Sequence, residues 1–262
     1  MPFSLTPLLC RLLLIMALVL SVHGEPETDK EKEKKPPRTI RFLPLGESPP
    51  FRQEIRDGVR YELEPPVGSI PPREVSLTVG KLSVPSVRLS LGRISLAAGL
   101  PNGVEPIAVR RPEDSPTAQP WMNLTLPETG NVLVLVWRDP GKLWDKPRWL
   151  LLSDGPEFNA GKLRLSNISP VEIRFIIGEE KIALTPGKVH LIDLPVGRDV
   201  PVQIAWIDPS GTAQRIYSSA IVQNQGERGE LMVYRADGEQ PRQPLKVLPL
   251  REKAPEPPPV AP

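Results

Sequence analysis

Apolar residues in this chain come in short runs bounded by proline or glycine, and no window sustains a helical period. Runs recur at Ile40–Leu43, Glu74–Val79, Ser86–Leu91, Arg93–Ala97, Pro106–Arg110, Val132–Arg138 and Arg148–Leu152, with Arg60–Leu63 between the first two. They continue at Lys162–Leu165, Val171–Ile177, Lys181–Leu184, Lys188–Ile192, Val200–Ile207, Ala213–Val222, Glu230–Tyr234 and Leu245–Leu248. Many short β-rich runs with turn residues between them predict sandwiches or barrels. Val171-Glu-Ile-Arg-Phe175 alternates and predicts a half-exposed strand. Val132–Trp137 is apolar on both faces: Leu133, Leu135 and Trp137 point one way, Val132, Val134 and Val136 the other. Such a strand needs cover on each side, so it is read as central, against a second domain or a long loop. Gly178-Glu-Glu and Asp208-Pro-Ser-Gly211 suit hairpin turns. The expected fold is all-β, two tandem antiparallel β-sandwich (Ig-like) domains, with helix in well under a tenth of the chain.

The two halves repeat in order. Thr39-Ile-Arg-Phe-Leu43 matches Lys162-Leu-Arg-Leu-Ser166, and Arg60–Pro65 matches Lys181–Pro186. Gly130 through Trp137-Arg138-Asp139 matches Gly229 through Tyr234-Arg235 and Asp237, and Pro147-Arg148 matches Pro241-Arg242. Four matches in order predict an internal duplication, with extra residues in the first unit between Pro65 and Gly130; chance similarity among strands is the alternative. Trp137, Arg138, Tyr234 and Arg235 are then structural: each aromatic packs inward, and each arginine sits at the opposite face and pairs with a carboxylate or turn carbonyls. The expected domains are 39–153 and 161–250, joined by a linker at 154–160.

The ends read differently. Arg11 precedes an apolar run, Leu12–Leu20, too short for a membrane span, and Val22-His23-Gly24 follows. That is the layout of a secretory signal peptide at 1–24, and it predicts a secreted or periplasmic protein with no membrane span after cleavage. The charged stretch 25–38 has no apolar content for a core and is read as a disordered linker; the proline-rich 251–262 is read as a disordered tail. Proline accounts for 35 of 262 residues, against a usual ~5%. It suits edges and loops, since it cannot donate to a central ladder.

A pattern in the second half can be compared with known proteins. Asn167-Ile-Ser-Pro170, Gly178-Glu-Glu and Pro186-Gly187, separated by strands, resemble a pattern in uncharacterised exported β-sandwich proteins of verrucomicrobial-type bacteria. Trp137-Arg-Asp-Pro140 with Trp144 and Pro147-Arg148 is similar to their other recurring block. The resemblance covers 39–250. It implies a bacterial, exported, non-enzymatic protein and carries no activity with it.

Composition and chemistry narrow the function. Thirty-three basic and 31 acidic residues leave a net charge of +2, which makes no electrostatic case for nucleic acid. The one cysteine, Cys10, and one of the two histidines, His23, lie in the signal segment, so the mature chain has no disulfide and no zinc site. His190 is read as a surface histidine. Nucleophile elbow, phosphate loop and calcium loop are not found, and no cofactor is expected. Paired carboxylates for glycosidic cleavage stay open. Four of the five tryptophans, Trp121, Trp137, Trp144 and Trp149, fall between 121 and 149. Trp144, in a loop and expected to be exposed, with Trp121 and Arg148, is the candidate ligand-binding set, since sugars stack on aromatic faces. In the competing reading Trp137 and Trp149 are core and Trp144 caps a hairpin. The expectation is an exported, non-enzymatic β-sandwich protein that binds or scaffolds in the cell envelope, with an envelope protein or a glycan as partner. The alternative is a carbohydrate-binding module or a carboxylate-based carbohydrate-active enzyme.

Overall fold

Eighteen strands and no helix form among the described residues; every apolar run lies on a strand except Arg93–Ala97, which forms none. A computed structural model describes residues 38–238 and 240–255, all within one unit, Pro37–Pro262. The expected signal peptide and most of the 25–38 linker lie outside the described residues, as do 256–262 of the expected tail.

The first half contributes β1 (Arg38–Leu45), β2 (Gln53–Arg56), β3 (Val59–Glu62), β4 (Glu74–Val79) and β5 (Leu82–Arg88). It continues with β6 (Ala98–Leu100), β7 (Ile107–Arg110), β8 (Met122–Leu124), β9 (Val132–Trp137) and β10 (Arg148–Ser153). The second half contributes β11 (Lys162–Asn167), β12 (Ile173–Ile177), β13 (Glu180–Leu184), β14 (Lys188–Asp193), β15 (Asp199–Ile207), β16 (Ala213–Val222), β17 (Glu227–Arg235) and β18 (Leu245–Lys253).

Each half is a sandwich of two four-stranded sheets. In the first, β10-β9-β1-β6 lies against β5-β4-β7-β8; in the second, β18-β17-β11-β14 lies against β13-β12-β15-β16. Strand for strand the orders are the same, as an internal duplication requires. Even the parallel strand pairing recurs: β1 pairs with β9 in parallel, and β11 with β17. The registers agree too. Ile40 lies beside Val132, and Leu163 beside Gly229, which keeps the correspondence of Ile40 with Leu163 and of Trp137 with Tyr234. The Ig-like expectation therefore holds as sandwich architecture, with a strand order of its own and a parallel pair inside each inner sheet.

Two of the sequence matches fail against this register. Arg60–Glu62 is not the counterpart of Lys181–Leu184. It belongs to the β2–β3 hairpin, which the second copy lacks, and β13 corresponds to β5. The insertion thus lies at 46–73, where the second copy has only 168–172. Arg148 pairs with Trp137 and Lys246 with Tyr234, so Lys246, not Arg242, is the equivalent of Arg148.

Three apolar clusters hold the stack. One fills the first sandwich with Ile40, Phe42, Val134, Leu77 and Ile107, and one fills the second with Leu165, Phe175, Ile204 and Leu231. The third lies between the halves, where Leu43, Leu45, Leu133 and Leu135 meet Ile168, Met232 and Tyr234. This explains the double apolar face of β9: its valines enter the first sandwich, and its leucines with Trp137 enter the seam. The two inner sheets pack face to face, giving four sheet layers in sequence. No helix among the described residues is long and apolar enough to cross a membrane.

Candidate functional site

The charged residues of the inner sheets gather at one end of this seam. Alternation puts the third residue of the matched pentapeptides, Arg41 in β1 and Arg164 in β11, on the seam face, because Ile40, Phe42, Leu163 and Leu165 point into the sandwiches. Asp154 follows β10 and Glu252 lies in β18, at equivalent registers of the two copies. β17 adds Arg228 and Glu230.

Arg41 joins both copies. Its Nε donates to Asp154 Oδ2 at 2.8 Å, and its Nη1 and Nη2 donate to the Glu252 carboxylate at 2.5 and 2.9 Å. Arg228 Nη2 lies 2.8 Å from Asp154 Oδ1 and 2.7 Å from Glu252 Oε1, and its Nη1 donates to Phe158 O at 2.7 Å. Arg164 forks onto Glu230, with Nε at 3.0 Å from Oε2, and also donates to the Ser153 carbonyl. The Phe158 ring lies between the two buried guanidinium groups, 4.1 Å from that of Arg164 and 4.5 Å from that of Arg228. Three guanidinium groups face three carboxylates, and Arg228, Arg164 and Glu230 are each 3% exposed or less.

Burial pushes the Glu230 carboxyl above its usual range, against the pull of Arg164. Burial acts the same way on Glu252. There the hydrogen bonds and charge of Arg41, with those of Arg228, win and hold it below its usual range. Arg41 is itself held more firmly protonated by the two carboxylates, against the effect of burial. These groups satisfy one another, so the cluster acts chemically as a clasp between the sheets.

The far end of the seam carries a second, smaller set. Arg138 Nε donates to Asp237 Oδ2 at 2.6 Å, Glu47 N donates to Asp237 Oδ1 at 2.7 Å, and Lys246 pairs with Glu47 at 2.6 Å. Gly46 permits this approach: a Cβ there would lie 2.9 Å from Asp237 Oδ2 and 3.3 Å from the Trp144 ring. Tyr234 packs beside this set, and its hydroxyl is pushed up to about 12, first by burial and then by Asp237 and Glu47.

The candidate ligand-binding residues do not assemble into a surface. Trp144 is a correction: it is 2% exposed and packs in the first sandwich core, because its amide donates to Gly68 O and the loop folds inward. Trp121 is buried beside it, with its indole N–H donating to the Trp144 carbonyl. Arg148 is exposed on β10, within 3.5 Å of Asp139. Trp149, which one reading put in the core, is the exposed one at 42%. Of the structural residues, Trp137 and Tyr234 pack in the seam as expected for duplicates. Arg138 and Arg235 share a register but not a setting, since Arg138 pairs across the seam and Arg235 faces solvent. His190 is exposed on β14.

Three clasp residues fell in segments read as linker or tail. Asp154 and Phe158, in the expected linker 154–160, are 5% and 0% exposed. Glu252 lies in the expected tail, yet β18 runs through Lys253, because its partner β17 extends back to Glu227. Arg38, expected in the disordered linker, opens β1 and donates to Pro101 O at 2.7 Å and Pro127 O at 2.6 Å. The available signal was an arginine at the same place in both matched pentapeptides, on otherwise apolar strands. Among the described residues no group of three or more His, Cys, Asp or Glu is placed to hold a metal ion. No protein-family model matches the chain, and no curated protein matches it.

Proposed function

We propose that this is an exported, non-enzymatic protein that binds or scaffolds in a bacterial cell envelope. The observation that carries the reading is the clasp. The ionisable groups that the fold gathers and buries are engaged with one another, and two of the pairs, Arg41 with Glu252 and Arg228 with Asp154, cross the seam and join two sandwiches into one block. Such an arrangement supports a rigid presenting body. Export rests on the layout of residues 1–24. Co-purification of the full chain from native envelopes tests both parts. The expected result is a chain in the periplasmic or secreted fraction, lacking residues 1–24, with a reproducible partner. A cytoplasmic chain that retains residues 1–24 overturns the reading.

The glycan alternative keeps one specific feature, the exposed Trp149 on β10. Glycan-array binding that is lost in Trp149→Ala favours it.

A further inference from the structure

Free sheet edges invite strand pairing, and proteins blunt them with proline, charge or brevity. Most edges of this stack follow that rule; β10 and β16 do not, and β16 is the longer of the two. β5 carries Pro85, β18 carries Pro249 and several charges, β6 and β8 have three residues each, β13 opens on Glu180-Lys181, and β14 is bounded by Lys188 and Asp193. β10 has six residues. β16 has ten, Ala213-Gln-Arg-Ile-Tyr-Ser-Ser-Ala-Ile-Val222, with no proline and a single charge, Arg215. Its counterpart in the first copy, β8, has three, so the duplicates diverge most at this edge.

The direction of the unpaired backbone groups on β16 can be worked out. Gly178 N donates to Pro201 O at 2.8 Å, so Pro201 directs its carbonyl toward β12 and away from β16. Its neighbour across the ladder, Ala220, therefore holds a non-hydrogen-bonded position against β15 and turns its N–H and C=O to the open side. Alternation gives Ser218 and Val222 the same direction. The Val222 carbonyl, with the Arg251 side chain donating to it at 3.0 Å, agrees. Ser219 turns inward to β15, opposite Val202.

We propose that β16 is a homodimerisation edge, pairing antiparallel with β16 of a second copy about a twofold axis at Ser219, so that the outer sheet β13-β12-β15-β16 becomes one eight-stranded sheet. The register is self-complementary. Ser218 falls opposite Ala220 of the second copy, and the outward N–H and C=O groups of both meet reciprocally. Tyr217 falls opposite Ile221 of the second copy. Both pack on the inner side of the sheet, against the second core, so the apolar layer continues across the axis. The three residues at the axis, Ser218, Ser219 and Ala220, are small, and Arg215 is kept away from its own copy. With no run of like charge to select a foreign strand, the edge suits its own sequence.

Sedimentation velocity of the full chain across a concentration series tests this. The expected species is a dimer. Ala220→Pro deletes the outward amide and leaves the β15 ladder intact; by symmetry two hydrogen bonds are lost, so dissociation should strengthen by about tenfold or more, with an unchanged monomer circular dichroism spectrum and Tm. Ser219→Cys in a Cys10→Ser background keeps the test decisive if the proline variant misfolds. At a non-hydrogen-bonded twofold position the Cα atoms lie ~4.5 Å apart, within disulfide range, so oxidation should yield a crosslinked dimer. A monomer at every concentration overturns the proposal, including one that captures a foreign extended peptide at this edge. So does a dimer whose affinity is untouched by Ala220→Pro, or one that Ser219→Cys fails to crosslink.

Discussion

Trp144 sits in a segment, Asp139–Pro147, whose prolines and charges all mark a solvent loop, yet it is among the largest fully buried side chains. Sequence patterning reads periodicity, and a single aromatic folding back from a loop has none. We therefore expect Trp144→Ala to cost ~3–5 kcal/mol, the range for emptying a buried aromatic site, and Trp149→Ala about 0.5 kcal/mol or less. Urea denaturation of the two variants checks this; comparable losses would place the Trp144 ring outside the core. The clasp makes a second prediction at this scale. Glu252 titrates below its usual range, because Arg41 and Arg228 outweigh its burial. A depressed carboxyl contributes stability that is full above its unfolded pKa of ~4.3 and is lost as pH falls through the folded value. Glu230 has the opposite sign: its raised pKa favours the protonated form, so its contribution declines as pH rises through the folded value. Glu252 faces Arg41 and Arg228, with Asp154, Glu230 and Arg164 in the same cluster. Glu252→Gln should be less stable than wild type at pH 7 and lose less on going to pH 3. Denaturation midpoints at the two pH values test this, and parallel curves would remove Glu252 from the acid response.

At the scale of elements, what was legible followed from length and contrast. β9, β15 and β17 are strongly apolar, and their existence and type could be read directly, as could the double burial of β9. β2, β6 and β8, with three or four residues, carry too little alternation to stand out. β18 was read only to Leu248, because Arg251-Glu-Lys253 looks like the start of a solvated tail. Yet one of those charges, Glu252, points into the seam. Ending the chain after Leu250 should therefore lower Tm by on the order of 10 °C relative to ending it after Pro255. Arg41 and Arg228 would lose a shared counter-charge, and breaking a buried pair costs roughly 3–5 kcal/mol. Thermal unfolding of the two truncations tests it; equal midpoints would show that the strand end contributes nothing. The β2–β3 hairpin makes the opposite case. Its Asp57-Gly58 turn has φ of 51° and 78°, the left-handed pair that a tight hairpin needs, so the hairpin is locally well specified. However, Ile55, Val59 and Tyr61 are all at least half exposed, and the hairpin forms a sheet of its own. Replacing 52–63 with a short glycine-serine link should leave Tm nearly unchanged, since an isolated two-stranded sheet adds little stability. A drop of several degrees would show that the hairpin docks.

For the whole molecule the duplication was legible, and the seam was half legible. The sequence matches at β1/β11 and β9/β17 have the correct register, because those strands lie at the centre of each inner sheet and their apolar pattern is tightly constrained. The match placed on β3 failed, because a solvent hairpin and an edge strand share the same alternation. The double apolar face of β9 required a cover, but the charged half of that cover could not be inferred: alternation puts Arg41 and Arg164 on the face away from each sandwich core and does not say what covers that face. That cover has a consequence for folding. Each sandwich has its own core, yet the inner sheets also bury Leu43, Leu133, Leu135 and Met232 between them and shield ion pairs that water would otherwise solvate. If one half unfolded alone, it would expose this apolar layer and break the two pairs that cross the seam, Arg41 with Glu252 and Arg228 with Asp154. Both penalties disappear when the halves unfold together, so calorimetry of the wild type should show one transition. Met232→Asp puts an unpaired charge into the middle of the seam, 0% exposed, and leaves both sandwich cores untouched. It should split the trace into two transitions, one for each sandwich, by removing the coupling and not the folds. Two resolved transitions in the wild type would mean that the seam is too weak to couple the halves. A single lowered transition in Met232→Asp would mean that neither sandwich stands without the other.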